Sequence, residues 1–144
     1  MRALLDTSVL VAAMVDAHPD HVRCLPWLQK SAARSLSLLV AAHSLAETFA
    51  VLTRLPLRPR IAPATAEALV RENVLGRAQI VALSATDYRG VLARQATLGL
   101  AGGAIYDALI ARAAQKGRAD RVVTLNRGDF LRVWPDGAER VVAP

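Results

Sequence analysis

Four carboxylates in this chain are placed where they could do chemistry: Asp6, Glu47, Asp107 and Asp129. Asp6 ends the apolar run Ala3-Leu4-Leu5 and is followed by Thr7-Ser8 and a second apolar run, Val9 to Val15. A short buried strand, a turn and a helix fit that pattern. Asp6 then lies at the carboxyl end of the strand, the edge where open parallel α/β sheets build their sites. Asp107 falls in the stretch Ala104 to Lys116, where its neighbours at helical spacing are Ile110, Ala111 and Ala114. Its carboxylate therefore faces the interior side of its own helix. An unpaired charge there would cost several kcal/mol, so it needs a cation, an arginine or a hydrogen-bond cluster.

The other two acids have competing explanations. Ser44-Leu45-Ala46-Glu47 has the spacing of a capping box, and spacing alone favours that reading. Glu47 also lies shortly beyond the end of a second apolar run, at the same sheet edge as Asp6, with His43 one turn before it. Asp129 follows Val122-Val123-Thr124 within Thr124-Leu125-Asn126-Arg127-Gly128-Asp129-Phe130. There Asn126 can cap a short helix with Asp129 as its partner, or Asp129 can be a fourth acid at the shared edge. Asp6 could itself be a cap, but Thr7 and Ser8 can do that work.

If these groups converge, the chemistry is constrained. Two carboxylates about 4 Å apart repel by roughly 4 kcal/mol at an effective dielectric near 20. Such a cluster must take up protons or bind a divalent cation. Oxygen donors, no cysteine and at most one nearby histidine favour Mg²⁺ or Mn²⁺ over zinc.

The elements that must position the acids alternate in type. Short apolar runs predict strands at Arg2–Leu5, Leu36–Val40, Gln79–Leu83, Val122–Thr124 and Arg140–Val142. Helices are expected over Ser8–Val15, His21–Ser31 (capped by Asp20), Leu45–Arg54, Thr65–Leu75, Ser84–Leu98 and Ala104–Lys116, with a turn or short helix over Asn126–Phe130. Leu55-Pro56-Leu57-Arg58-Pro59-Arg60 must end the third helix, because proline cannot continue one. Ser84, with Asp87 three residues on, is a capping box. Strands alternating with helices imply βαβ units and a parallel sheet covered on both faces. The expected fold is a three-layer α/β/α sandwich around a central, mainly parallel five-stranded sheet.

Composition narrows the class. A chain of 144 residues, 53% hydrophobic, is expected to form one domain over 1–144 with a real core. Aromatics make up only 4%, so Leu, Val, Ala and Ile must fill that core. The single cysteine, Cys24, excludes an intramolecular disulfide framework and a cysteine-rich metal site, and fits a reducing cytoplasm. Asp6 interrupts the apolar N-terminus, and no run approaches the roughly 18 residues of a membrane span, so a soluble, unprocessed protein is expected. The net charge is +6 with eighteen basic residues, all arginine except Lys30 and Lys116. Setting the four acids aside leaves eight acids against eighteen bases, or +10, around a small acidic centre. That pattern suits a polyanionic substrate.

With these residues in hand the chain resembles a PIN domain of the VapC toxin ribonuclease type. Leu4-Leu5-Asp6-Thr7-Ser8 resembles that family's opening motif, and His43-Ser44-Leu45-Ala46-Glu47 the segment with its second acid. Ala104-Ile105-Tyr106-Asp107-Ala108-Leu109-Ile110-Ala111 is similar to the helix with its third acid, and Val123-Thr124-Leu125-Asn126 through Asp129-Phe130 to its last motif. The resemblance covers essentially the whole chain. It implies an α/β/α sandwich, a Mg²⁺-dependent endoribonuclease (Mn²⁺ as substitute), a homodimer and a cognate VapB-type antitoxin. Asp6, Glu47 and Asp107 carry over as metal ligands and catalytic acids. The fourth acid of some members falls at Asn126, an amide here, and the nearest acid is Asp129; either can complete the set. Ser8 and Thr124 carry over as donors that orient the carboxylates. An apolar groove near Leu45, Phe49 and Leu52 is expected to take the antitoxin.

Rival readings fail on particular residues. A dehalogenase-type phosphatase needs a second Asp where Ser8 stands, a receiver domain needs a lysine after the last strands, and a dinucleotide fold needs a glycine-rich turn after the first strand. The alternative from another class is a non-catalytic RNA-binding or protein-interaction module on the same fold, which would bind RNA without needing a metal.

Overall fold

Strand β1 (Arg2–Leu5) lies at the centre of the molecule, and the computed structural model describes all 144 residues around it. Then follow α1 (Thr7–Met14), α2 (His21–Ala32), β2 (Ser37–Ala41), α3 (Ala42–Arg54) and α4 (Pro63–Val70). After them come β3 (Gln79–Val81), α5 (Ala85–Leu98), α6 (Ala104–Lys116), β4 (Arg121–Val123), α7 (Arg127–Val133) and β5 (Val141–Val142). The sheet order is β3-β2-β1-β4-β5, and every pairing is parallel. Leu4 stands in register with Leu39 on one side and Val122 on the other.

Alternation along the strands builds the layers. Ala3 and Leu5, with Leu38 and Val40, point to the face covered by α1, α2 and α3. Leu4, Leu39 and Val122 point to the other face, against α6 and α7. The expected three-layer sandwich is therefore present, with all five strands parallel. The strand order reverses at β1, which sends one connection to β2 and leaves β4 on its other side. Such a switch point opens a crevice at the carboxyl ends of the strands.

Local chemistry explains most boundaries. The Ser84–Asp87 capping box forms as expected, with Ser84 Oγ accepting from the Asp87 amide at 3.2 Å and the Ser84 amide donating to Asp87 Oδ2 at 2.9 Å. The same carboxylate accepts from Lys116 at 2.7 Å and from Arg112 at 2.8 Å, which ties α5 to α6. Those contacts, that from Lys116 foremost, hold its pKa well below the usual carboxylate range. Gly99 ends α5 with φ 66°, a conformation that favours glycine.

Four expectations need correction. α3 begins at Ala42, directly off β2, because Ala41 is extended (φ −66°, ψ 138°) and turns the chain without a polar cap. Ser44 is therefore inside the first turn, fully buried, and forms no capping box with Glu47. Asp20 occupies the N-cap of α2 but makes no side-chain cap; it pairs with Arg23 at 3.2 Å. The helix expected over Thr65–Leu75 is α4 followed by a π-helical turn, Arg71–Leu75. A 3₁₀ turn over Pro135–Arg140 was not expected; its Gly137 lies against the Trp134 ring where a Cβ would collide.

Gly117 closes α6 where that helix meets the sheet. A Cβ there would stand 2.5 Å from Leu39 Cδ2 and 3.0 Å from Val81 Cγ2. Gly117→Ala is expected to cost about 1–3 kcal/mol of stability through overpacking. Chemical denaturation measures this; an unchanged midpoint would show that α6 does not press on β2 and β3 as described.

Candidate active site

The site is built outward from Asp6. Its backbone is extended (φ −68°, ψ 156°) at the N-cap of α1, yet the side chain makes no cap hydrogen bond. Its amide donates to the Val123 carbonyl at 3.0 Å, which extends the β1–β4 pairing by one step. The carboxylate is gripped through Oδ2 by two hydroxyls, Ser8 at 2.5 Å and Thr124 at 2.8 Å. Each hydroxyl is held in turn: Ser8 Oγ accepts from the Leu125 amide at 3.2 Å, and Thr124 Oγ1 from the Asn126 amide at 2.9 Å. Both residues expected as orienting donors thus touch the Asp6 carboxylate, and both do so at Oδ2.

Glu47 comes from α3. With the capping box absent, its carboxylate does not serve the first turn of α3. Oε2 is buried and has no hydrogen-bond partner. The His43 Nε2, one turn earlier on α3, lies 3.1 Å away, at an angle that makes no hydrogen bond but close enough for an ion pair when the imidazole is protonated.

Asp107 comes from the first turn of α6, just after Gly102-Gly103. Amides at a helix N-terminus favour a negative charge. Burial and repulsion outweigh them. The pKa is pushed from 3.8 up to about 6, first by loss of solvent and then by the charges of Asp6, Asp129 and Glu47. Asp107 therefore lies within the field of the other three acids singled out in the sequence.

Asp6, Ser8, Glu47, Asp107 and Asn126 all line a cleft of about 280 Å³. Asn126 occupies the N-cap position of α7 but makes no side-chain cap, so its amide is free for the cleft. Asp129 does not line it. The fully buried Phe130 fixes the phase of α7 and turns Asp129 outward, 4.0 Å from Arg132. Of the two residues left open for the fourth position, Asn126 lines the cleft and Asp129 does not, although its charge reaches Asp107.

The cleft also contains Thr7, read in the sequence only as a candidate cap, and His18, which the sequence did not single out. Thr7 brings a buried hydroxyl without a partner, and His18 lines the wall with its Nδ1 accepting from the Asp20 amide at 3.1 Å. No periodicity or spacing marks either one for the cleft. Val51 and Leu55 form the apolar wall. The groove expected over Leu45, Phe49 and Leu52 needs amendment: Phe49 is 38% exposed, but Leu52 is fully buried in the core.

The donor set fits a hard divalent cation. It offers carboxylate, amide and hydroxyl oxygens, one of them an orphaned carboxylate oxygen, and no thiolate. The donors are not closed around one point, since no three acidic, histidine or cysteine side chains stand together at ligand distances. Size does not pick this cleft out either. A slightly larger cavity, about 330 Å³, lies between α5 and α6 beside Trp134 and holds none of the four acids.

A parallel sheet whose switch point gathers carboxylates from the end of β1, from α3 and from α6 defines an α/β/α domain with an acidic cleft at the carboxyl edge of its sheet. The family model described as PIN domain matches residues 3–133. Ribonuclease VapC27 of Mycobacterium tuberculosis is 37% identical over 116 residues, 81% of this chain and 79% of that protein. Ribonuclease VapC40 of the same species is 38% identical over 107 residues, 73% of this chain and 72% of that protein. The chain belongs to the PIN-domain family, in its VapC ribonuclease branch. Solved structures share the fold: VapBC2 from Rickettsia felis, bound to a promoter DNA fragment, has a TM-score of 0.67 at 21% identity over 100% of this chain and 99% of that one. VapC20 of M. tuberculosis, a toxin that cleaves the sarcin-ricin loop, has a TM-score of 0.66 at 14% identity over 83% of this chain and 86% of that one.

The raised Asp107 pKa has a definite sign in stability. Between pH about 4 and about 6 the folded, metal-free protein holds a proton that the unfolded chain has released, so stability falls as pH rises through that window. Asp107→Asn in EDTA is expected to be more stable than the parent above pH about 6, by on the order of 1–3 kcal/mol, with the gap closing below pH about 4. Thermal melts across that range test it. A gap that is constant with pH would mean that charge on Asp107 is not the cause.

Proposed function

We propose that this VapC-type ribonuclease hydrolyses RNA phosphodiester bonds at the acidic cleft with a divalent cation, Mg²⁺ or Mn²⁺, held by Asp6, Glu47 and Asp107. The observation that carries the reading is the convergence on Asp107: a partly buried carboxylate under the field of three other acids, beside an orphaned Glu47 oxygen. A group of that kind is tolerable when it binds a cation or a proton.

When bound, the cation supplies Lewis-acid chemistry, lowering the pKa of a water and offsetting charge on the phosphoryl oxygens. The protein supplies position. Ser8 and Thr124 fix the plane of the Asp6 carboxylate through Oδ2. Asn126, at the start of α7, adds a neutral carbonyl to the donors without adding to the repulsion. Asp129 adds negative potential from outside the cleft. No side chain is required as a covalent nucleophile.

The chain is further proposed to act in the cytoplasm as the toxin of a two-protein module, as a homodimer held inactive by a VapB-type antitoxin. The VapBC2 structure, whose name pairs a VapC-type protein with a VapB, supports the antitoxin part of this reading, and FitAcB from Neisseria gonorrhoeae, with a TM-score of 0.61 at 20% identity, shares the fold. No helix is long and apolar enough to cross a membrane. The exposed Phe49 on α3 is the proposed antitoxin contact.

Asp6→Asn and Asp107→Asn are each expected to lower RNA cleavage by at least about a hundredfold while leaving a folded protein, and EDTA is expected to abolish cleavage until Mg²⁺ is restored. Cleavage of cellular RNA, followed by sequencing of 5′ ends, measures both. Equal activity in EDTA and Mg²⁺ would falsify the metal reading. Asn126→Ala is expected to cost more activity than Asp129→Ala, and the reverse order would return the fourth position to Asp129.

A further inference from the structure

Tyr106, the residue before Asp107, is 51% exposed although it is one of the few aromatic residues in the chain. It is not loose. Its ring lies flat on the His43 imidazole, with centroids 5.1 Å apart and planes within 2° of parallel. His43 in turn stands 3.1 Å from the Glu47 carboxylate. The residues beside two of the clustered acids thus meet as a two-ring stack, although they come from α3 and α6. With its inner face on the imidazole, the exposed part of Tyr106 is its outer face and edge.

We propose that the outer face of Tyr106 is a stacking platform for one base of the bound RNA strand, next to the phosphate in the cleft. The inference rests on the ribonuclease reading and adds a binding residue that the acids do not include. The cleft itself repels a phosphate until its charge is offset, so the strand needs an attraction that is not electrostatic. Base-on-aromatic stacking supplies one, and it tolerates any sequence because every base has a π-face. A ring already fixed by its neighbour loses little freedom when a base lands on it. Tyr106 is a positioning residue here: it holds the strand and takes no part in proton or phosphoryl transfer.

The test is fluorescence anisotropy with a labelled deoxyadenylate decamer and the same decamer carrying abasic sites, in Mg²⁺. DNA serves as the probe because the platform reads the base and not the sugar. The parent protein is expected to prefer the intact strand. Tyr106→Ala is expected to weaken intact-strand binding roughly 5- to 100-fold and leave abasic-strand binding unchanged, while Tyr106→Phe keeps the parent affinity within about threefold. Thermal melts of both variants are expected to match the parent. Equal affinity of the parent for the two strands, or no binding to either, overturns the proposal. So does a Tyr106→Ala loss that is the same on both, which would mark a structural effect. Mg²⁺-dependent RNA cleavage by the parent is scored separately, so a failed platform and a failed ribonuclease reading give different results.

Discussion

Repulsion among carboxylates is the constraint on which the rest of this structure depends. Asp107 is pushed up to about 6 by burial and by Asp6, Asp129 and Glu47 together, against the pull of its own helix N-terminus. Left to relax, such side chains would turn away from one another into solvent. They are prevented by where their backbones are fixed. Asp6 is pinned by a β1–β4 hydrogen bond and two hydroxyls. Asp107 is carried on a helix whose other end is tied to α5 by Lys116 and Arg112 through Asp87. Glu47 is carried on a helix that leaves β2 without an intervening loop. The sheet and its two apolar cores hold together groups that repel.

The basic exterior follows from the same constraint. A compact negative centre inside a neutral protein would turn a polyanion away. Here the whole chain is at +6 despite the acids in the cleft, so the long-range field attracts what the local field repels. Attraction at a distance and repulsion at contact are compatible with the proposed cation, which would offset the local charge. Neither the surface charge nor the cleft alone would suffice.

Parts of this were legible in the chain, for identifiable reasons. Asp6 and Asp107 could be read because each breaks an apolar pattern whose period fixes where it points. The Ser84 cap and the Gly117 stop could be read because capping and termination are local. Glu47 could not be assigned from spacing, since Ser44 and Glu47 satisfy a capping rule that the fold does not use. Which rule applied depended on one residue: β2 runs on to Ala41, and α3 starts there with nothing polar to announce it. Which of Asn126 and Asp129 lines the cleft was hidden for another reason. The short α7 takes its phase from Phe130 packing into the core, a tertiary fact with no local signature.

The His43–Tyr106 stack shows the remaining limit on sequence reading. No period links an imidazole at the start of α3 to a phenol in the first turn of α6; only the sheet order, which sets α3 and α6 around the end of β1, brings them together. Yet the stack depends on the same junctions that place the acids. His43 is fixed by the abrupt start of α3 that also frees Glu47 from capping, and Tyr106 by the helix phase that turns Asp107 inward. Moving either helix by one residue would therefore displace an acid and an aromatic ring at once. The acids and the ring stack beside them are in this sense one construction, positioned by two helix starts rather than by contacts of their own.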